Sequence, residues 1–134
     1  MTASEGLFRR YGDLGVRTSV EGHPGVTIYP LLQSGEEGSL HLVINYNEIE
    51  PGGSTNPHYH TECEVFDHAH YILSGDIIAV VEGREFKAGP DNLVYCRSDE
   101  LHSFKNVGTD TARLLLISGL NVGGTGGKLV FPKT

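Results

Sequence analysis

Residues Gly52 to Gly75 read G-G-S-T-N-P-H-Y-H-T-E-C-E-V-F-D-H-A-H-Y-I-L-S-G, and H-S-F-K-N follows at His102 to Asn106. Four of the seven histidines fall within thirteen residues of this stretch, a layout suited to gripping a transition metal. His58 and His60 are two apart, so on an extended strand both imidazoles point to one face, with Cα atoms about 6.5 to 7 Å apart. Pro57 fixes the entry of that strand, and Gly52-Gly53 supplies the bend before it. His68 and His70 repeat the spacing at the head of the segment that runs into Tyr71-Ile72-Leu73-Ser74-Gly75. If the two segments lie side by side, their inward faces bring several ring nitrogens together, and His102 completes the set from a later strand.

Outward from this stretch, apolar residues alternate or run in short blocks: Val26 to Leu32, Leu40 to Ile49, Tyr71 to Leu73, Asp76 to Val81, Leu93 to Cys96 and Arg113 to Ile117. After the first fifteen residues no 3.6-residue period persists for three turns, and 18 glycines and 6 prolines punctuate the blocks. Ser74-Gly75-Asp76 and Glu82-Gly83-Arg84 read as hairpin turns, while Gly89-Pro90-Asp91-Asn92 and Gly108-Thr109-Asp110 read as reversals. The pattern predicts an all-β chain closed into a sandwich or barrel.

A chain of 134 residues lies in the single-domain range and buries roughly two thirds of its unfolded surface. Cys63 and Cys96 form no CxxC pair, which suggests a reduced, cytoplasmic protein. The N-terminus carries no signal-peptide pattern, and the longest apolar runs, Ile77 to Val81 and Leu114 to Ile117, are too short to cross a bilayer. With 17 acidic and 10 basic side chains and a net charge of -7, no basic stripe offers a surface to nucleic acid or to an anionic membrane. Gly123 to Gly127 reads as a flexible hinge, and Leu129, Val130 and Phe131 beyond it are expected to return to the barrel or cross to a second subunit.

These residues resemble the cupin family. Its first motif is glycine, five residues, H-x-H, three or four residues, glutamate, six residues, glycine; Gly52, His58 and His60 fit its beginning, and Tyr71-Ile72-Leu73-Ser74-Gly75 resembles its ending. Its second motif has a histidine and, after three residues, an asparagine, matched by His102 and Asn106. The resemblance covers about residues 40 to 119 and implies a jelly-roll-like double-stranded β-helix barrel with a metal in its mouth. A single domain is expected, with the barrel at about 25–120, an N-terminal arm at 1–24 and a C-terminal tail at 121–134. Many cupins are dimers, so a homodimer is also expected.

The departures from the family pattern bear on the chemistry. Counting forward from His60 puts the family's glutamate at Glu64, whereas counting back from Gly75 puts it at His68. The backward count is preferred, because the strand ending in Y-I-L-S-G fixes which side chain faces inward while Thr61 to Asp67 can bulge as a loop. The expected metal ligands are therefore His58, His60, His68 and His102, with Glu64 in reserve. Where the second motif has glycine, proline and glycine, this chain has Asp91, Arg97 and Asp99.

A site of neutral imidazoles leaves the charge of a divalent ion uncancelled and should attract enolates and carboxylates. Glutamate-free cupin sites resemble those of iron dioxygenases. A small anionic substrate, a divalent transition metal (iron first, then zinc, manganese, nickel or copper) and a dioxygenase-like reaction are the expectation. An isomerase, cyclase or lyase using the metal as a Lewis acid, and a non-catalytic binding protein, are the rivals. His70 is expected one layer below His68, and His23 and His41 at surface or hydrogen-bonded positions outside the site. Glu62, Glu64 and Asp67 are expected in a solvated acidic loop, Cys63 to be inert, and Arg97 at the surface rather than clamping a carboxylate.

Overall fold

The computed structural model describes residues 6–33, 41–61, 65–120 and 128–132, and all the regular elements among them are strands. They are β1 (Val26–Leu32), β2 (Leu42–Ile49), β3 (Ser54–Thr61), β4 (Val65–Ser74), β5 (Ile77–Val81), β6 (Arg84–Ala88), β7 (Leu93–Arg97), β8 (His102–Asn106), β9 (Ala112–Leu120) and β10 (Lys128–Val130). Among the described residues no helix is long and apolar enough to cross a membrane.

The strands form two five-stranded sheets, ordered β1-β2-β9-β4-β7 and β10-β3-β8-β5-β6, with antiparallel neighbours throughout. Alternation dictates their facing: along β5 Ile77, Ala79 and Val81 are buried, and along β8 His102, Phe104 and Asn106 are buried. Phe104, Ile49, Ile72, Ile77 and Leu114 are the large side chains that fill the space between the sheets. Together these make the all-β, double-stranded β-helix barrel expected from the sequence.

Two turns show why the sequence folds this way. Glu82 and Gly83 both have positive φ, 49° and 78°, the pairing that a two-residue hairpin with the twist of its strands requires. Glu82 is held there by its amide, which donates to the Leu101 carbonyl, and by its carboxylate, which accepts from the Leu101 amide. Gly75 has φ 105°, and a Cβ there would lie 2.6 Å from Ala112 Cβ, so both conformation and packing demand glycine between β4 and β5.

Asp91 takes the left-handed conformation, φ 67°, that a glycine of the family's second motif would favour, and its carboxylate accepts from the Tyr71 hydroxyl at 2.7 Å. Asp99 does not adopt positive φ. Asn106 is pinned: its Nδ2 donates to the carbonyls of Ile49 and Asp110, each at 2.8 Å, and its Oδ1 accepts from Gly108 N–H.

The segment expected to bulge from Thr61 to Asp67 is shorter than the sequence suggested. β4 begins at Val65, and Asp67 sits in its ladder between Arg97 and Gly119, with its carboxylate accepting from Tyr95 Oη at 2.5 Å. Asp67 is thus a strand residue with a hydrogen-bonded carboxylate, not part of a loop. Glu62, Cys63 and Glu64 lie outside the described residues, as do Leu40 and the Gly123–Gly127 hinge. Beyond the hinge, Lys128, Leu129 and Val130 pair with Thr61, His60 and Tyr59, so the tail returns to its own barrel at the edge of β3.

Candidate metal centre

His58 on β3 and His102 on β8 are direct Cα partners, and their ring centroids lie 4.4 Å apart. His60, two residues along β3, brings its ring to 5.2 Å from His58 and 5.4 Å from His102. One ring nitrogen from each of the three falls within 4.8 Å of the others, a grouping that could hold a metal ion. His58 Nδ1 meets the Asn56 carbonyl at 2.7 Å, and His102 Nδ1 meets the Glu100 carbonyl at the same distance. A carbonyl only accepts, so Nδ1 carries the proton in both rings and the Nε2 lone pairs are left for a ligand.

Burial reinforces this. Desolvation pulls His58 from 6.5 down to about 3, and neighbouring imidazoles push the same way; His102 is also lowered, chiefly by burial. Both rings are therefore neutral at pH 7, the form that binds a metal. The donor set fits a divalent transition ion and offers it no compensating charge among the described residues.

His68 comes to the edge of this cluster from the opposite sheet, but its nitrogens fall outside the grouping that joins the other three. Its ring stacks on His60 with centroids 4.6 Å apart and lies 5.6 Å from His102. Its two nitrogens contact serine hydroxyls, Ser98 at Nε2 and Ser118 at Nδ1, each at 3.3 Å. Burial lowers its pKa from 6.5 to about 3 as well. His70 is one layer deeper as expected, stacked on Phe104 at 4.0 Å, and its Nδ1 has no hydrogen-bond partner.

A cavity of about 190 Å³ adjoins these rings. Its walls are largely apolar, with Ile28, Ile49, Leu114 and Leu116 from one sheet and Leu129 from β10, and Asn47 lies among them. Arg17, on the arm before β1, supplies the one formal charge among the described residues of this lining, which include no carboxylate. Arg97, by contrast, is far out on the surface, its side chain 61% exposed and paired with Asp99 at 3.1 Å.

His23 lines the cavity too, which the sequence did not reveal. It is buried, its ring is 5.2 Å from His58, and its Nδ1 bonds the Glu21 carbonyl at 2.7 Å, repeating the clamp on His58 and His102. The hydrogen-bonded position expected for it is correct, but it belongs beside the site. Phe131 packs against both His23 and His58 and contacts Gly22, where a Cβ would overlap its ring. No local motif marks this meeting of residues 23, 58 and 131. His41 is exposed.

Comparison with known proteins agrees with this architecture. The cupin domain family model matches residues 45–118, and the chain belongs to that family. The polyketide cyclase RemF from Streptomyces resistomycificus is 23% identical, with a TM-score of 0.71 over 96% of this chain and 87% of that one. A cupin-2 domain protein from Rhodospirillum rubrum is 22% identical, with a TM-score of 0.71 over 99% and 84%. A predicted oxalate decarboxylase from Thermotoga maritima is 21% identical, with a TM-score of 0.72 over 85% and 99%. No curated protein sequence matches the chain.

Proposed function

We propose that this cupin is an enzyme that holds one divalent transition metal at His58, His60 and His102, with His68 as a fourth donor, and converts a small anionic organic molecule in the adjoining cavity. The observation that carries the proposal is the pairing of a neutral imidazole cluster with a lining that has Arg17 and no described carboxylate. Among the described lining residues an anion entering this space meets no charge of its own sign, and the low surrounding dielectric strengthens its attraction to any cation. The long 3.3 Å contacts of His68 to Ser98 and Ser118 are weaker than its proposed bond to an ion.

When bound, the metal supplies Lewis acidity and, in the case of iron, oxygen chemistry. The chain itself supplies imidazole donors, two of them held by backbone carbonyls, an apolar wall that limits water, and the positive charge of Arg17 to draw an anion into the cavity. Non-oxidative cyclisation or lysis comes first, supported by the names of the similar Streptomyces and Thermotoga proteins, with isomerisation as a further Lewis-acid reaction. Dioxygenation is the second reading, favoured by the all-imidazole donor set. Oxygen-electrode traces of iron-loaded and zinc-loaded protein with small keto and hydroxy acids separate them: turnover without uptake supports the first, and His58-dependent uptake the second. Absence of turnover with any of these acids, despite tight binding, would leave a non-catalytic binding protein.

The proposal extends to a cytoplasmic homodimer. The arm exposes Leu7, Phe8 and Tyr11, which offer an apolar contact for a second copy, and the buried Cys96 is a free thiol. Size-exclusion with light scattering of the full chain tests this, a monomeric mass at micromolar concentration being the contrary result.

A further inference from the structure

Asn47 Oδ1 and His70 Nδ1 are buried polar atoms of cavity-lining residues and have no hydrogen-bond partner. Asn47 is the more telling. It stands on β2 between its Cα partners Ile28 on β1 and Leu114 on β9, both apolar lining residues, and only 7% of it is exposed. An amide oxygen buried without a partner is destabilising, so an asparagine in this wall calls for something in the cavity to satisfy it. The histidine trio belongs to the facing sheet, and packed sheets lie about 10 Å apart, so a molecule between them can touch both ends.

Volume limits what that molecule can be. An apolar cavity of about 150 Å³ takes up benzene, so the 190 Å³ here suits one six-membered ring with a few substituent atoms. We infer that Asn47 is a specificity-determining residue that hydrogen-bonds a hydroxyl on a single-ring, anionic substrate whose opposite end faces the histidines. A hydroxyl both donates and accepts, so it satisfies the amide in either orientation. The inference rests on the proposed metal-dependent function and names the class of substrate that site would take.

The test is calorimetric binding of benzoate, 3- and 4-hydroxybenzoate and 2-naphthoate to zinc-loaded wild type and Asn47→Leu, with melting curves of both. Wild type should bind at least one hydroxybenzoate about tenfold more tightly than benzoate and bind naphthoate more weakly than benzoate; Asn47→Leu should lose the hydroxyl preference and keep benzoate. Because leucine removes the unpartnered oxygen, the ligand-free variant should melt at or above the wild-type temperature, whereas a purely structural asparagine would give a lower one. Should Asn47→Leu not fold, Asn47→Ala carries the same ligand comparison. A hydroxyl preference that survives the substitution, or none in wild type because water alone satisfies Asn47, overturns the inference. So does naphthoate binding as tightly as benzoate. Failure to take up zinc would instead strike the underlying metal site.

Discussion

His58 and His102 are paired across β3 and β8, and each is clamped at Nδ1 by the carbonyl two residues before it, Asn56 and Glu100, at the same 2.7 Å. This symmetry fixes two tautomers and aims two Nε2 atoms without a carboxylate between them. The ladder that sets the barrel also sets the site.

The two positions should therefore be unequal to the rest in metal affinity. His58→Ala or His102→Ala is expected to weaken zinc binding beyond the roughly 10- to 100-fold typical of losing an outer-shell partner, while His68→Ala weakens it less because serines already engage both its nitrogens. Competition with a chromophoric chelator measures all three. Equal losses would place His68 on a par with the trio.

Acid should unfold the metal-free protein early. His58 and His68 are held at about 3 in the fold against 6.5 when unfolded, so the unfolded chain takes up protons that the fold refuses between those values. Their stabilising effect is complete above pH 6.5 and lost as pH falls toward 3, by up to about 3 kcal/mol per pH unit for the pair. Denaturant titrations from pH 7.5 to 4.5 should show a midpoint that falls steadily below 6.5. A flat midpoint would mean these rings are solvated.

Gly75→Ala should destabilise the fold by roughly 2 to 5 kcal/mol, the sum of a left-handed alanine and an overlap with Ala112. Asp91→Gly, at a position already left-handed, should change stability little beyond the loss of one exposed hydrogen bond to Tyr71. Urea midpoints of the two variants give the comparison, and similar losses in both would refute it.

Asn106→Ala should cost about 2 to 5 kcal/mol, since it strips partners from the Ile49 and Asp110 carbonyls and from the Gly108 amide in one step. The same urea series measures it. A loss under about 1 kcal/mol would show that water replaces the side chain.

Much of this was legible in the chain because period-2 alternation and glycine turns are local signals. Val26 to Leu32 is a strand at the bounds its pattern suggests, the block from Asp76 to Val81 is a strand from Ile77 onward, and the two-residue spacing of His58 and His60 does put both rings at one site. Asp91 adopts the glycine-like turn because aspartate tolerates left-handed backbone, which the residue type permits without requiring. Other features depend on long-range packing. His23 and Phe131 come to His58 from opposite ends of the sequence, and the serines on His68 lie thirty and fifty residues away. The facing of Asn47 into a cavity likewise follows from which sheet β2 joins, not from its own segment.

The central claim is that the imidazole cluster is a metal site. Elemental analysis of untagged protein, prepared without a metal-affinity column and compared with the His58→Ala/His102→Ala double variant, tests it most directly. The account predicts about one divalent transition ion per chain in wild type, or after one round of reconstitution, and none in the folded double variant. A wild-type protein that stays empty, or a double variant that keeps its ion, would contradict it.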